Sequence, residues 1–383
     1  MPQAQLEIPL CEDTVGTVVA YQPAATKQYI GSPSLVILPN GHYVASHDLF
    51  GQASSEWVQG RTRIYGSADK GLHWRFLTDI VGAFWSNLFV HGDALYLMGP
   101  DRHFGTVLIR KSVDGGSSWT SPTNEQDGLL LKGEFHSAPV PMVVHGGRIW
   151  RAMETAHGPI REWGKRLAAM VMSAPVDADL LRADSWLCTQ PLYFDPTYLA
   201  GHFNGWLEGN VVVTPEGTIC NILRVDDKST LEEKVAMVDI DADGTRASFD
   251  PKTGFVPFPG GSKKFTVRYD PVSQRYWSLT NGIPERLKPA YQGENSSLIR
   301  NTVMLVSSVD LQSWDTCREV IHHPDASRYG FQYVDWQFEG NDIIFVSRTA
   351  FEDGMGGPNR AHDANFLTFH RIEQFRHASS PAR

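Results

Sequence analysis

Ionisable and aromatic side chains recur where the hydrophobic segments of this 383-residue chain begin and end. Acidic, basic and hydroxyl groups gathered around one opening shift each other's pKa values, as acid–base catalysis requires and as structural ion-pair networks also do. The residues at segment starts are Trp85, His136, Glu208, Lys264, Tyr333 and Asp335, and those at segment ends are His47, Asp48, Glu154, Arg224 and Arg348. These residues form one site only if the fold brings the segment ends together.

The hydrophobic segments come in pairs that are joined by short turns. Six such hairpins span residues 34–46, 88–98, 141–153, 210–223, 265–279 and 333–347. Their turns contain Asn-Gly, Gly-Asp, Gly-Gly, Glu-Gly, Asp-Pro or Gly-Asn pairs, which are typical between antiparallel strands. A polar loop and a third strand follow each hairpin, and most units continue into a fourth, edge-like strand. Long helical periodicity is absent.

Six four-stranded units predict an all-β fold, a six-bladed β-propeller with antiparallel blades, because separate sheets would leave faces and edges uncovered. The blades are predicted to start near residues 31, 84, 134, 206, 263 and 331, within a single domain over residues 1–383. The last unit lacks a fourth strand, and residues 17–23 are predicted to supply it and close the ring. A β-sandwich or barrel is the alternative all-β arrangement.

The composition excludes several classes of function. With 34 Lys and Arg against 43 Asp and Glu, the net charge of −9 has the wrong sign for a general nucleic-acid or anionic-membrane binder. No run of eighteen apolar residues predicts a membrane span, and residues 1–16 lack the basic start and apolar core of a leader. The chain is therefore predicted to be soluble and unexported, or the processed form of a secreted protein.

Neither a cofactor nor a dedicated metal site is predicted. The four cysteines, Cys11, Cys188, Cys220 and Cys317, are far apart and are interpreted as free thiols. No trio of residues has metal-ligand spacing, although the carboxylates of residues 349–365 could take up Ca²⁺ opportunistically.

Three turns between third and fourth strands share one pattern. Residues 67–74 (SADKGLHW) and 112–119 (SVDGGSSW) read S-x-D-x-G-x-x-W, and residues 308–314 (SVDLQSW) are a shortened copy. The Asp is expected to cap backbone N–H groups and the Trp to pack between adjacent sheets. The pattern resembles the Asp-box of the sialidase superfamily of propellers. The repeat of blade-like units extends this resemblance over nearly the whole chain.

The resemblance implies an activity and residues for it. WLEGNVVVTPEGTICNILR (206–224) resembles the sialidase segment that brings together a catalytic Glu, here Glu208, and a carboxylate-binding Arg, here Arg224. Arg300 and Tyr333 are placed like another carboxylate-binding Arg and the Tyr nucleophile of that family. A Tyr that passes its proton to Glu can attack an anomeric carbon bearing a carboxylate, which would repel an anionic nucleophile. Arg forks bind such a carboxylate bidentately.

One part of the family pattern is missing. Sialidases open their first blade with Arg-Ile-Pro, where this chain has Gly-Ser-Pro at residues 31–33. The first Arg of the carboxylate-binding triad is therefore replaced by Gly31. Arg348 is expected to contribute instead, with Arg61 and Arg161 as alternatives from loops.

The acid that would protonate a leaving group has two candidates in the first long loop, Asp48 and Glu56. Asp48 is preferred because it adjoins His47 at a strand end. His136 is a further catalytic candidate. The long charged loops lie on one rim of the predicted ring, where a site is expected. The other substrate-binding residues predicted there are His47, Trp85, Asp335 and His362.

Three functions fit these residues. The preferred one is an exo-acting, sialidase-like glycoside hydrolase that removes a terminal acidic or related sugar. A uronate-directed polysaccharide lyase is the alternative, because histidines are abundant on the long-loop rim: His47, His103, His136, His157 and His362. A non-catalytic glycan-binding propeller, with rim tryptophans stacked on sugars, is the third. Each predicts a glycan as the partner.

Overall fold

The computed structural model describes residues 15–379 and shows an all-β propeller. Cys11 and the rest of the first fourteen residues, on which the leader and thiol predictions partly rest, lie outside the described residues. Cys188, Cys220 and Cys317 are free thiols, as predicted. Within residues 15–379, no helix has the length and apolar character needed to cross a membrane.

Antiparallel strands form five hydrogen-bonded sheets, and a short strand, β1 (Thr17–Tyr21), precedes the first of them. The first sheet contains β2 (Gln28–Ile30), β3 (Ser34–Ile37), β4 (Tyr43–Gly51), β5 (Arg61–Ser67) and β6 (Arg75–Val81). The second has eight strands: β7 (Asn87–His91), β8 (Ala94–Pro100), β9 (Gly105–Ser112), β10 (Leu129–His136), β11 (Val143–His145), β12 (Arg148–Thr155), β13 (Ala168–Pro175) and β14 (Leu187–Cys188).

Three further sheets complete the described chain. The third contains β15 (Trp206–Val213), β16 (Ile219–Val225), β17 (Lys234–Ile240), β18 (Ala247–Ser248) and β19 (Phe255–Pro257). The fourth contains β20 (Thr266–Asp270), β21 (Arg275–Thr280), β22 (Thr302–Ser308) and β23 (Asp315–His322). The last contains β24 (Gly330–Glu339), β25 (Asp342–Ala350) and β26 (Phe366–Ile372), together with β1.

Short 3₁₀ helices occur in the connections. They span Ala24–Thr26, Ala183–Ser185, Tyr198–Gly201, Glu285–Tyr291, Ser296–Leu298 and Phe375–Ser379. The N-terminal segment pairs with the last unit as predicted, because Thr17 of β1 lies opposite Phe369 of β26 and Tyr21 lies opposite Phe366.

The prediction of six separate four-stranded sheets is wrong. Four sheets have four or five strands each, the size of one blade, whereas the remaining one has eight. In that sheet β10 pairs with β12, which joins two neighbouring units. The third unit is predicted to begin near residue 134, but residues 129–136 belong to β10. The inner strand of that unit is only the short strand β11. Pro139 and Pro141 lie between them and have no N–H to donate to a ladder.

Neighbouring inner strands lie next to one another in succession. Strand β24 contacts β3 and β20, β3 contacts β7, and β15 contacts β11 and β20. Hydrophobic clusters fill the spaces between neighbouring sheets. One of them joins Leu35 and Tyr43 of the first sheet to Ile344 and Leu367 of the last. These cores hold the inner strands rigidly, so the side chains at the starts of those strands are fixed relative to one another.

The three S-x-D turns form the predicted hydrogen bonds. Asp114 Oδ1 accepts from the Ser112 hydroxyl and from the Ser118 backbone N–H, each at 2.9 Å. The Trp119 indole N–H donates to the Gly116 carbonyl at 2.9 Å, and its ring packs on the core between the first two sheets. The aspartates of the other two turns also cap backbone N–H groups: Asp69 and Asp310.

Replacing Asp114 by alanine should lower the free energy of unfolding by about 1–2 kcal/mol, because two backbone N–H groups lose their acceptor. Chemical denaturation followed by tryptophan fluorescence measures this change. Asp93→Ala is the matched control, since Asp93 is exposed in another tight turn. Equal losses in the two variants would show that the Asp114 carboxylate does not stabilise its turn.

Candidate active site

Tyr333 and Glu208, from opposite parts of the sequence, meet at the starts of β24 and β15. The Tyr333 hydroxyl donates a hydrogen bond of 2.8 Å to Glu208 Oε1. Both residues have positive φ, 54° for Tyr333 and 51° for Glu208, and both lie where the strand register shifts in a β-bulge. This backbone conformation is unfavourable for residues other than glycine and is concentrated at functional sites, where a bulge redirects a side chain.

Arg224 completes an ion pair with the same carboxylate. Its Nη1 lies 2.9 Å from Glu208 Oε2, and its Nε donates to the Ser262 carbonyl at 2.8 Å. Burial is the largest single influence and raises the pKa of Glu208, but the neighbouring positive charge, chiefly that of Arg224, and the hydrogen bonds from Arg224 and Tyr333 together lower it below its ordinary value. Glu208 is therefore a carboxylate that can accept the phenol proton.

Two more guanidinium groups face the Tyr333 ring. The Cζ atoms of Arg300 and Arg348 lie 5.8 and 5.2 Å from its centroid. Arg300 is held by Gln332 Oε1 at 2.8 Å, and Arg348 donates to the carbonyl of His362. Burial lowers the pKa of Arg348 to about 10, which leaves it protonated at neutral pH.

The site consequently carries excess positive charge. The three arginines are each less than a tenth exposed, and Glu208 is the carboxylate paired with one of them. Burial and then the Glu208 charge raise the pKa of Tyr333, whereas the arginines oppose this rise. Such a group of fixed guanidiniums can bind a carboxylate of a ligand beside the phenol.

Asp48 lies in β4 and is completely buried. Its Oδ1 accepts from the Thr62 hydroxyl at 2.8 Å, and its Oδ2 accepts from the backbone N–H of Trp85 at 2.9 Å. Trp85 also has positive φ, 48°, so Asp48 supports another strained residue at the start of an inner strand. Burial raises the pKa of Asp48 to about 7. Its role as general acid stays a prediction, and the structure gives it no exposed surface.

Gly31, where the family pattern has Arg, packs directly against Asp48. A Cβ atom at Gly31 would lie 2.7 Å from Asp48 Cβ and 2.8 Å from the Asp48 carbonyl oxygen. No larger side chain fits there without moving β4. Arg348 instead reaches the phenol from β25.

His136 lies at the end of β10 rather than at the start of an inner strand as predicted. Its Nδ1 is 2.8 Å from Glu154 Oε2, and Glu154 Oε1 accepts the Gly209 N–H at 3.1 Å. The Trp85 ring meets the imidazole edge to face, with centroids 4.4 Å apart. His136 therefore adjoins the Glu208 segment through Glu154.

His47 and Asp335 are engaged within the sheets rather than with Tyr333 or Glu208. The His47 Nδ1–H donates to the Asp48 carbonyl at 2.8 Å, its ring stacks on Tyr65, and burial lowers its pKa to about 3. Asp335 Oδ2 accepts from the Leu35 N–H at 2.8 Å and so joins β24 to β3. Both side chains are thus engaged by the protein itself, and their substrate-binding role stays a prediction.

His362 lies beside Arg348 on the loop after β25. Its ring meets Phe50 edge to face at 5.3 Å, and its Nδ1 is 3.1 Å from Asp363 Oδ1. Its side chain is about 42% exposed, so it borders the arginine group from the solvent side.

Two residues outside the predicted catalytic and substrate-binding sets also hold this site. Lys264 is buried and donates to the Val334 carbonyl, next to Tyr333, at 2.8 Å. Burial lowers the pKa of Lys264 to about 8. Gln332 connects Arg300 to the Ala361 carbonyl. The position of Lys264 at a strand start, equivalent to Glu208, was the available signal; Gln332 offered none.

A cavity of about 920 Å³ opens at the other ends of β15 and β24. Its lining is mainly apolar, with Val211, Val213, Tyr269, Tyr276 and Phe338 among the residues. The ionisable cluster lies elsewhere, so cavity size does not identify the chemical site. Among residues 15–379, no group of three His, Cys, Asp or Glu side chains is arranged to hold a metal ion.

Comparisons with known proteins bear on the fold. No model of a protein family matches the chain, and no curated protein does. Solved structures match, among them an α-L-arabinanase from Penicillium chrysogenum complexed with arabinobiose and a Hadza microbial sialidase. The arabinanase has a TM-score of 0.55 and 12% identity over 94% of this chain and 98% of its own. The sialidase has a TM-score of 0.60 and 11% identity over 94% of this chain and 68% of its own.

The fold is that of the sialidase-like propellers. An α-L-arabinofuranosidase from Fusarium graminearum is also similar, with a TM-score of 0.55 and 9% identity over 94% of this chain and 97% of its own. The resemblance to the sialidase superfamily is thereby confirmed for the fold. Since sialidase-like propellers with different substrates match at similar scores, fold similarity does not select a substrate.

In this sialidase-like propeller, Gly31→Ala should lower the free energy of unfolding by about 1–3 kcal/mol, because the added methyl group overlaps Asp48. Urea denaturation measures the loss. Gly158→Ala is the control, since nothing lies within 4 Å of a Cβ built there. Unchanged stability of Gly31→Ala would mean that β4 shifts freely at Asp48.

The raised pKa of Asp48 should also affect stability. Between its unfolded pKa of about 4 and its folded pKa of about 7, the folded protein holds a proton that the unfolded chain has released. The contribution of Asp48 to the free energy of unfolding therefore falls as pH rises through this window. Asp48→Asn should remove that part of the slope, whereas Asp93→Asn should keep it. Parallel wild-type and Asp48→Asn profiles would contradict the assignment.

Proposed function

We propose that this protein is an exo-acting glycoside hydrolase that removes a terminal sugar bearing a carboxylate. The observation that carries the proposal is the 2.8 Å hydrogen bond from the Tyr333 hydroxyl to Glu208, beside the guanidinium groups of Arg224, Arg300 and Arg348. A phenol with an adjacent base is an activated nucleophile, and the arginines suit a carboxylated ligand.

The proposed reaction has two steps. Glu208 takes the phenol proton as Tyr333 Oη attacks the anomeric carbon, and the bond from that carbon to the leaving oxygen breaks. The leaving group takes a proton from a general acid and departs, which leaves a glycosyl-tyrosine. Water then attacks the same carbon and gives a proton back to that acid, while the phenol leaves and regains its proton from Glu208, and the free sugar is released. The neutral phenol avoids the repulsion that an anionic nucleophile would meet from a substrate carboxylate.

The three arginines are proposed to bind that carboxylate. Arg224 and Arg300 are fixed by backbone carbonyls through their Nε atoms, at 2.8 and 2.7 Å. The Nε of Arg348 is buried and has no hydrogen-bond partner among the described residues. We propose that Arg348 fills the role of the Arg that Gly31 excludes.

The eight-stranded sheet is proposed to act as two blades, which would give six blades in one domain with β1 completing the last. Each half contains four strands, and two residue pairs join β10 to β12. That short connection is consistent with two neighbouring blades held together at one end.

Tyr333→Phe and Glu208→Gln should each lower kcat/KM by about a hundredfold or more, because the nucleophile or its base is lost. Hydrolysis of sialylated and uronate-containing glycosides measures this. Tyr193→Phe and Glu373→Gln are matched controls, since both residues are exposed. A loss below tenfold in both site variants would overturn the proposed mechanism.

The chemistry itself is tested by incubating the protein with the same glycosides in ¹⁸O-labelled water and weighing the products. A saturated free sugar with one label supports hydrolysis. An unsaturated, unlabelled product would identify the uronate lyase instead, and glycan binding without any product would identify a binding propeller. Release of a neutral pentose, the sugar of the arabinobiose bound to the Penicillium enzyme, would show that the arginines do not select a carboxylate.

A further inference from the structure

The pairing of β10 with β12 creates a second acid–base pair beside the first. His136 and Glu154 lie directly opposite each other in that ladder, and their side chains are joined at 2.8 Å. Both side chains are almost fully buried, with exposures of 2% and 1%. The other oxygen of Glu154 accepts the N–H of Gly209, the residue after Glu208. Glu154 thus connects the imidazole to the catalytic segment.

This arrangement determines what His136 can do. A carboxylate only accepts hydrogen bonds, so Glu154 holds a proton on Nδ1 and fixes the orientation of the imidazole. The Nε2 atom has no hydrogen-bond partner within residues 15–379. It is the nitrogen that can give a proton to a ligand.

Aromatic rings pack around this imidazole. The ring centroids of Trp85, Trp163 and Phe104 lie 4.4, 5.7 and 6.2 Å from that of His136. Trp163 is about 48% exposed, so this group of rings extends to the surface. Apolar and aromatic faces of this kind suit a sugar ring or another organic leaving group.

Neither acidic candidate predicted from the first long loop is placed to give a proton to a ligand. Asp48 holds a proton below its raised pKa, but its two oxygens accept hydrogen bonds from Thr62 and Trp85 and the residue has no exposed surface. Glu56 accepts from Arg166 Nη1 at 2.8 Å, so its carboxylate is already engaged in an ion pair.

We propose that His136, oriented by Glu154, protonates the leaving group, and that Trp85 and Trp163 form the leaving-group subsite. This rests on the proposed glycosidase function. As the bond between anomeric carbon and glycosidic oxygen breaks, the proton on Nε2 passes to that oxygen. In the second step, Nε2 takes a proton from the attacking water. Glu154 is a positioning residue and exchanges no proton with the substrate.

The test compares leaving groups that differ in their need for a proton. The probes are the methyl and 4-nitrophenyl glycosides of N-acetylneuraminic acid and of glucuronic acid. Nitrophenolate leaves without protonation, whereas methoxide does not. His136→Gln should lower kcat for the methyl glycoside by about a hundredfold or more and for the nitrophenyl glycoside by less than about fivefold. Glu154→Gln should show the same selectivity with a smaller loss, and it carries the test if His136→Gln does not fold.

Asp48→Asn is the discriminating comparison. Because it disturbs the support of Trp85, it should lower both activities together and leave their ratio within about twofold. An equal loss of both activities in His136→Gln, or a selective loss in Asp48→Asn, would overturn the assignment of His136. Failure of the wild type to cleave any of the four glycosides would instead overturn the proposed function, so the two failures are distinguishable.

Discussion

The Glu208 carboxylate accepts from a phenol and from a guanidinium in a place that water hardly reaches. A buried charge of this kind is tolerated only when it is paired and hydrogen-bonded, so Arg224 is as necessary as Glu208. Arg300 and Arg348 add two further positive charges, and within residues 15–379 no carboxylate pairs with them as Glu208 pairs with Arg224. Their orientation comes from loop carbonyls, which fix direction without neutralising charge. The result is a site whose fixed positive charge would be compensated by an anionic ligand.

This arrangement of charged side chains is stable because β15 and β24, which carry Glu208 and Tyr333, are held by contacts on several sides. Glu208 and Tyr333 both occupy positive-φ positions that cost free energy, of the order of 1–3 kcal/mol each. Lys264 and the Thr266 hydroxyl both donate to the Val334 carbonyl immediately after Tyr333. The hydrophobic cores between sheets keep these inner strands from relaxing. Stability elsewhere in the propeller therefore supports local strain at its axis.

The sequence could predict the repeats, because turn chemistry and strand alternation are local. It could predict that Glu208, Arg224, Arg300 and Tyr333 lie together, because the family resemblance matched these residues to one site. It could not predict the joining of β10 to β12, which depends on contact between units and on two prolines that shorten β11. Nor could it predict that Asp48 and Asp335 turn into the sheets, because an acidic residue at a strand end looks the same whether it faces a ligand or a backbone N–H. Burial separates these cases, and burial depends on neighbours distant in sequence.

The proposal that Arg348 takes the place of an arginine at residue 31 agrees with the same geometry. Gly31 has no room for a side chain because Asp48 occupies that space, and Asp48 is kept there by Thr62 and by the backbone of Trp85. The guanidinium of Arg348, which comes from β25 of the last sheet, nevertheless lies 5.2 Å from the centroid of the Tyr333 ring. On the first-sheet side, the Trp85 ring that follows this backbone N–H lies against the imidazole of His136. Asp48, which leaves no room for an arginine at residue 31, therefore also holds the tryptophan of the proposed leaving-group subsite.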